Sequence, residues 1–452
     1  MPDRPGLGKR PSSNDRNVSP PPAKRKQTST TTSKAVANFF TPASKKEKEV
    51  EQMSWRIIHD TLLIGRYGAA AMNKQIGVAK GKRKIAAFDF DSTLIRPASD
   101  RKFAKDAADW KWWDHSVPKV LRKLHGDGYL VAVVSNQAGI TLTPDPKKIK
   151  SDQKRLADFK SKVSAVLKHL DIPGLSIYAA TAHDVYRKPR MGMWRELLED
   201  YDLEGEGMVD LAGSLFVGDA AGREAVGKSP KDFSCGDRDF AANIGISFHT
   251  PEEYFLQEAP RPFIRSFDPA AFLKELPPPS EGPRYTKNNP LEIVLFVGSP
   301  GAGKSSFYRR HLQPLGYGRV NQDILKSRDK CLKAAATLLE EKTSVVVDNT
   351  NADEATRADW TALAKKMNVP VRCILFTAPA KLCEHNDIVR ALNIGEDTNP
   401  EHRLLLPKTA FLGFAKRYSE PDVSEGFQDV VKVNFEFDGT EATKKLWTQF
   451  WL

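Results

Sequence analysis

Ile85-Ala86-Ala87-Phe88-Asp89-Phe90-Asp91-Ser92-Thr93 sets two carboxylates, two residues apart, directly after a short apolar run. Such a run, closed by acidic and hydroxyl residues, reads as a buried strand opening into a polar loop. Ligands of open α/β sheets bind beyond the carboxyl ends of the strands. The acidic pair therefore stands where chemistry is expected. A lone DxDxT also arises at a capped strand end, so three further motifs decide the reading. Ser135-Asn136-Gln137 closes a second apolar run, Lys188-Pro189 is flanked by Arg187 and Arg190, and Gly218-Asp219-Ala220-Ala221-Gly222-Arg223 closes a third run. Strands are expected over 85–90, 130–135 and 215–218, and helices over 118–125 and 156–170. Alternating strands and helices imply a mostly parallel sheet covered on both faces.

These four elements, in this order, resemble the haloacid-dehalogenase phosphatase superfamily: aspartate nucleophile, small hydroxyl, lysine, acidic metal ligand. The chemistry explains the residue types. A carboxylate that attacks phosphorus splits hydrolysis into two easier steps, which assigns Asp89 as nucleophile. Asp91 is expected to protonate the leaving alkoxide and then to activate water. Two carboxylates repel a dianionic phosphate, so Mg²⁺ is expected on Asp89, Asp219 and the Asp91 carbonyl. Ser135 and Lys188 are expected to hold the phosphoryl oxygens. Thr93, Asn136 and Arg223 are read as substrate-binding.

A second site lies farther along the chain. Gly298-Ser299-Pro300-Gly301-Ala302-Gly303-Lys304-Ser305 fits GxxxxGK[ST] directly after the apolar run Ile293–Val297, with which a second alternation of strands and helices begins at Leu291. The amides of such a loop cradle phosphates at a helix N-terminus, Lys304 reaches the β- and γ-phosphates, and Ser305 ligates Mg²⁺. Gly298, Ser299, Gly301, Ala302, Gly303, Lys304 and Ser305 are thus the expected ATP contacts, joined by Arg390 from a basic helical stretch that also holds Arg403 and Arg417. Asn321-Gln322-Asp323 follows Arg319-Val320, and Asp348-Asn349-Thr350-Asn351 follows the apolar run Val345–Val347. Asp323 is assigned to the proton of the acceptor hydroxyl. Further strands are expected over 344–347 and 371–376.

A DxDxT phosphatase followed by a P-loop kinase resembles eukaryotic polynucleotide kinase 3′-phosphatase, over nearly all of residues 53–452. The likeness is carried by Val217–Arg223, Asp232-Phe233-Ser234-Cys235-Gly236-Asp237-Arg238, Thr250-Pro251-Glu252-Glu253-Tyr254-Phe255, the P-loop, Asp348–Asn351, and His385-Asn386 with Arg390. It implies an α/β protein with a haloacid-dehalogenase-like phosphatase domain followed by a P-loop kinase domain, each a mostly parallel sheet with flanking helices. It implies Mg²⁺, ATP, and DNA ends bearing 3′-phosphate or 5′-hydroxyl, made ligatable at strand breaks. It also places a further acid, Asp237, near the phosphatase site. An RNA end-healing kinase-phosphatase would use the same chemistry; an inactive repair scaffold would not keep Asp89, Asp91, Lys304, Ser305 and Asp323. Animal members carry an N-terminal forkhead-associated domain, which residues 1–50 are too short to hold. They also have an arginine shortly before the position of Arg390, where Ile388 stands here.

The bulk composition agrees. The chain has 452 residues and a formal net charge of +12. Residues 1–50 hold eleven Lys and Arg against four Asp and Glu, a basic excess that favours a nucleic-acid partner. This stretch is rich in Ser, Thr, Pro and Lys and reads as a disordered tail. Lys9-Arg10 and Lys24-Arg25-Lys26 resemble a bipartite nuclear localisation signal. Val36-Ala37-Asn38-Phe39-Phe40 resembles a sliding-clamp-binding peptide, with Ser33 where the motif usually begins on glutamine. Cys235, Cys331, Cys373 and Cys383 form no CxxC pair, which argues against a disulfide framework or a zinc site and for a reducing compartment. No run of about 18 apolar residues occurs, so no membrane partner is expected. The expected organisation is a tail over 1–50, phosphatase over 51–256, an extended proline-rich linker over 257–289 and kinase over 290–452.

Overall fold

Seven strands form the first sheet of the computed structural model, which describes residues 53–68, 82–227, 229–277, 283–393 and 399–452. The two basic clusters and the Phe39-Phe40 pair lie outside the described residues. In spatial order the strands are Met53–Ile58, Leu62–Tyr67, Ser176–Ala180, Leu130–Asn136, Ile85–Phe88, Leu215–Val217 and Ser247–His249. The last five run parallel. The hairpin Met53–Ile58/Leu62–Tyr67 adds an antiparallel edge, with Met53 opposite Tyr67. Sequence reasoning overlooked it, since its outer strand is short and half-exposed. Its turn places His59 and Asp60 at positive φ, 46° and 57°, as tight hairpin turns require.

Ile85–Phe88 is fully buried on both sides, which is why it reads as an unbroken apolar run. Ala86 and Phe88 pack with Val131 and Val133 against Leu121, Phe159 and Val163, which lie on the helices Val117–Gly126 and Ile149–Leu170. Ile85 and Ala87 pack with Ala132 and Val134 against Met193, Trp194, Leu197 and Phe240, on the helices Gly192–Asp200 and Gly236–Ile244. The sheet is thus covered on both faces, as expected. Ile85–Phe88 also lies between Leu130–Asn136 and Leu215–Val217. The chain leaves it to one side first and to the other later, so Asp89 opens at the topological switch point where α/β folds bind ligands.

The second sheet is wholly parallel, in the order Gly318–Val320, Val345–Val347, Ile293–Val297, Val371–Phe376, Val430–Val433. Its central strand alternates as the first one does. Ile293, Leu295 and Val297 face Cys331, Ala335, Leu339 and Trp360; Val294 and Phe296 face Phe307, Tyr308, Leu312 and Cys383. All four cysteines are free thiols. No described helix is long and apolar enough to cross a membrane.

The segment between the sheets corrects the expectation of an extended linker. Asp268 caps a helix, Pro269–Glu275, by accepting from the Ala271 amide at 2.9 Å, with Pro269 in the first turn. That is an ordinary helix start in which proline helps rather than breaks. Phe267 and Phe272 on this stretch pack against His385, Trp447 and Phe435 at centroid distances of 5.0, 6.5 and 6.1 Å. Farther on, Tyr285 is buried and donates to Glu292 at 2.7 Å. Proline counting hid both the cap and the aromatic anchors, and both sheets lie in a single unit, Gln52–Leu452.

Candidate functional site

Asp89 emerges from the central strand with its amide donating to the Val217 carbonyl at 2.9 Å. Its Oδ1 lies 2.7 Å from Lys188 Nζ. The same ammonium reaches Asp237 Oδ1 and the Val134 carbonyl, each at 2.7 Å. Lys188, Asp89 and Asp237 are all buried. Asp237 Oδ2 accepts from the Ala220 amide at 3.0 Å, which holds the loop carrying Asp219. This explains Gly218, since a Cβ there would collide with the Asp237 carboxylate.

Carboxylate oxygens of Asp89, Asp219 and Asp237 lie within 4.8 Å of one another. Burial pushes the Asp89 and Asp219 carboxyls up, and each is raised further by its acidic neighbours. Lys188 offsets only part of this: burial works against its charge, but Asp237 and Asp89 hold its pKa above the ordinary value. Three carboxylates share one ammonium in a desolvated pocket. This donor set, all oxygen and short of positive charge, fits a hard divalent cation. Both Asp237 oxygens are already engaged, so Asp89 and Asp219 are the acids free to hold one.

Ser135 and Asp91 are joined by a residue outside the expected set. Gln137 Nε2 donates to Asp91 Oδ2 at 2.7 Å and to Ser135 Oγ at 3.0 Å. Asp91 itself is exposed, Ser135 buried. Gln137 stands in the Ser135-Asn136-Gln137 motif, but nothing in one sequence marks it as a bridge.

Three substrate-binding assignments are corrected by the geometry. Thr93 is fully buried, its hydroxyl unpaired among the described residues, so it presents no surface to a polymer. Asn136 uses its amide twice on one residue, accepting from the Lys188 N–H at 2.9 Å and donating to the Lys188 carbonyl at 3.1 Å. It fixes the lysine's backbone. Arg223 spends its guanidinium on Asp232 at 2.8 Å, Glu252 at 2.6 Å and the Asp219 carbonyl at 3.2 Å. Pinned by two carboxylates, it braces the Asp219 loop.

The second site forms beyond Ile293–Val297. Gly301 and Gly303 adopt φ of 74° and 93°, and a Cβ on Gly301 would collide with the Cys383 carbonyl; only glycine fits. Lys304 Nζ lies in the loop, donating to the Gly298 and Ser299 carbonyls at 2.8 and 2.7 Å. Burial pulls this ammonium down to about 8, against the pull of Asp348. A polyanion in the loop would favour its charged form further. Asn386 braces the loop by donating to the Gly301 carbonyl at 3.0 Å.

Asp348, to which the sequence alone assigns no role, is buried beside the loop and accepts from Ser305 Oγ at 2.7 Å and from Arg319 Nε at 2.8 Å. Hydroxyl and carboxylate side by side at a P-loop suit a hard cation. A chain of ion pairs runs outward from it. Arg319 reaches Glu401 at 2.7 Å, Glu401 meets Arg403 at 2.7 Å, and Arg403 meets Asp323 at 3.3 Å. The Asp323 side chain is 73% exposed at the outer end, open to an incoming hydroxyl. Arg390 pairs with the buried Asp387, and Arg417 is an exposed partner of Asp353. The signal for Asp348 was available, an acid ending the apolar run at Val347; Arg319 and Glu401 carried none.

Residues 84–255 match a family model described as polynucleotide kinase 3 phosphatase, and residues 293–411 match one described as an AAA domain. A bifunctional polynucleotide phosphatase/kinase from Schizosaccharomyces pombe is 38% identical over 386 residues, 85% of each chain. The chain belongs to the bifunctional polynucleotide phosphatase/kinase family. A putative member from Acanthamoeba polyphaga mimivirus is 31% identical over 80% of this chain and 87% of its own. A polynucleotide 3′-phosphatase from Saccharomyces cerevisiae is 29% identical over 38% of this chain and 87% of its own. This bifunctional phosphatase/kinase therefore carries both activities: the Asp89 cluster lies in the phosphatase match, the P-loop in the other.

Proposed function

We propose that this enzyme makes broken DNA ligatable, removing 3′-phosphates with its Asp89 site and phosphorylating 5′-hydroxyls from ATP with its Lys304 site. The observation that carries this is one chain holding both the Asp89–Lys188–Asp219 cluster and the Lys304–Ser305–Asp348 cradle. At the first site, Asp89 attacks phosphorus, the bond to the 3′-oxygen breaks, and Asp91 protonates that oxygen as it leaves. Asp91 then takes a proton from water, which attacks the aspartyl-phosphate, frees inorganic phosphate and restores Asp89. Gln137 orients Asp91 throughout. Lys188 and Ser135 hold the phosphoryl oxygens. Mg²⁺, held by Asp89 and Asp219 with the Asp91 carbonyl, would supply charge neutralisation.

At the second site the loop amides and Lys304 grip the ATP phosphates, with Arg390 above them. Asp323 accepts the proton of the 5′-hydroxyl as its oxygen attacks the γ-phosphorus. Ser305 and Asp348 would hold the Mg²⁺ that accompanies the nucleotide. Matched DNA and RNA oligonucleotides test the polymer: faster turnover of 3′-phosphate and 5′-hydroxyl on DNA is expected, and faster turnover of both on RNA would reassign the enzyme to RNA end healing.

The tail serves address. Removing residues 1–50 takes away both basic clusters and Phe39-Phe40 but none of the residues assigned to chemistry. Both activities on short oligonucleotides should survive, and nuclear accumulation should fall. Phe39→Ala with Phe40→Ala should leave nuclear entry intact and weaken capture by a sliding clamp. An unchanged pull-down would make the aromatic pair incidental, and nuclear retention of the deletion would defeat the localisation reading.

A further inference from the structure

We infer that Asn243 is a positioning residue for the phosphatase site, and that it is itself held in place by the last residues of the kinase half. The inference rests on the phosphatase reading of Asp89. Asn243 lies on Gly236–Ile244, the helix that also carries Asp237. Its Nδ2 donates to the Pro189 carbonyl at 2.9 Å, one residue after Lys188, and to the Phe450 carbonyl at 2.8 Å. Its Oδ1 accepts from the Phe450 amide at 2.8 Å. One side chain therefore ties together the Lys188 loop, the Asp237 helix and the end of the kinase half.

A second contact set supports the same junction. Arg265 pairs with Asp239 on this helix at 2.7 Å and lies over the Phe450 ring at 4.6 Å. Phe450 is anchored in turn: its neighbours Trp447 and Trp451 are buried in a cluster with Leu382 and Val389, and Trp447 Nε1 donates to Asn386 Oδ1 at 2.8 Å. Asn386 is the residue that braces the P-loop at Gly301. The Lys188 loop is thus clamped from one side by Asn136 and from the other by Asn243. The second clamp stands on the phosphatase helix, but its side chain is oriented by the Phe450 backbone of the kinase half. Lys188 bridges Asp89 and Asp237, so a small displacement of its loop moves the ammonium off the phosphoryl oxygens. A misplaced catalytic group costs turnover more than binding.

The test uses the full chain, with kcat and KM measured separately for phosphate release from a 3′-phosphorylated oligonucleotide and for 5′ phosphorylation. Asn243→Ala should lower phosphatase kcat by roughly tenfold, the size expected of one or two lost hydrogen bonds, with KM little changed and kinase constants at wild-type values. Phe450→Pro removes the amide that feeds Asn243 together with the ring beneath Arg265, leaves the Asn243 side chain in place, and should produce a smaller loss of the same kind. Wild-type phosphatase kinetics in both variants would overturn the inference. So would phosphatase and kinase falling in proportion, the mark of general destabilisation. If Asn243→Ala melts below the assay temperature, Phe450→Pro decides alone by the same criteria. Failure of the underlying reading is distinct: the wild-type chain itself would release no phosphate.

Discussion

Asp89→Asn should abolish 3′-phosphate release, by on the order of a thousandfold or more, while 5′ phosphorylation proceeds at the wild-type rate. The amide keeps the shape of the carboxylate but cannot attack phosphorus. The fold should tolerate it. Lys188 keeps Asp237 and the Val134 carbonyl, and one of three crowded carboxylates loses its charge. The P-loop stands on a different sheet, so the kinase should not register the change. Initial rates of phosphate release and of label transfer from ATP, taken on one preparation, check both halves. A folded variant that loses both activities, or that still releases phosphate at the wild-type rate, would refute the assignment.

Asp323→Asn should lower kinase turnover by about a hundredfold to ten-thousandfold, the usual cost of losing a general base, with nucleotide affinity largely kept. The geometry separates the two functions. The proposed nucleotide contacts are Lys304, Ser305 and Asp348, whereas Asp323 sits at the far end of the Arg319–Glu401–Arg403 chain. Asp348→Asn is the informative contrast. It removes the carboxylate that accepts from Ser305 and Arg319 and should weaken binding of the magnesium nucleotide. Equilibrium nucleotide binding beside steady-state kcat tells the two apart. Collapse of nucleotide affinity in Asp323→Asn would make it a nucleotide or metal ligand.

What could be read from the sequence was what local chemistry dictates. Ile85–Phe88 and Ile293–Val297 announce themselves because strands buried on both faces are apolar without interruption. The residues just beyond them, Asp89 and Gly298–Ser305, are constrained by phosphate chemistry to a few types at fixed spacing. The Met53–Ile58 hairpin escaped because an edge strand alternates weakly and leaves half its side chains exposed. The helix Pro269–Glu275 escaped because proline marks both helix starts and linkers.

The same division holds in the sites. Asp89, Lys188 and Asp219 come together in one site, and Lys304 and Ser305 in the other, as expected. Thr93, Asn136 and Arg223 did not keep their assigned roles, since a motif position does not reveal which way its side chain turns or which partners take up its donors. Gln137, Arg319, Glu401 and Asn243 bond to residues distant in the chain, and only the fold brings those partners within reach. Asp348 lies between these cases: its place after Val345–Val347 was visible, its pairing with Ser305 was not.

A nicked DNA duplex carrying a 3′-phosphate and a 5′-hydroxyl, incubated with the whole chain and Mg²⁺ with and without ATP, tests the two-site reading most directly. With ATP both termini should convert; without it the 3′-phosphate should still be released and the 5′-hydroxyl should persist. Asp89→Asn should reproduce only the 5′ change, and Lys304→Ala only the 3′ change. Release of the 3′-phosphate that requires ATP, or loss of both conversions in either folded variant, would contradict two independent active sites in one chain.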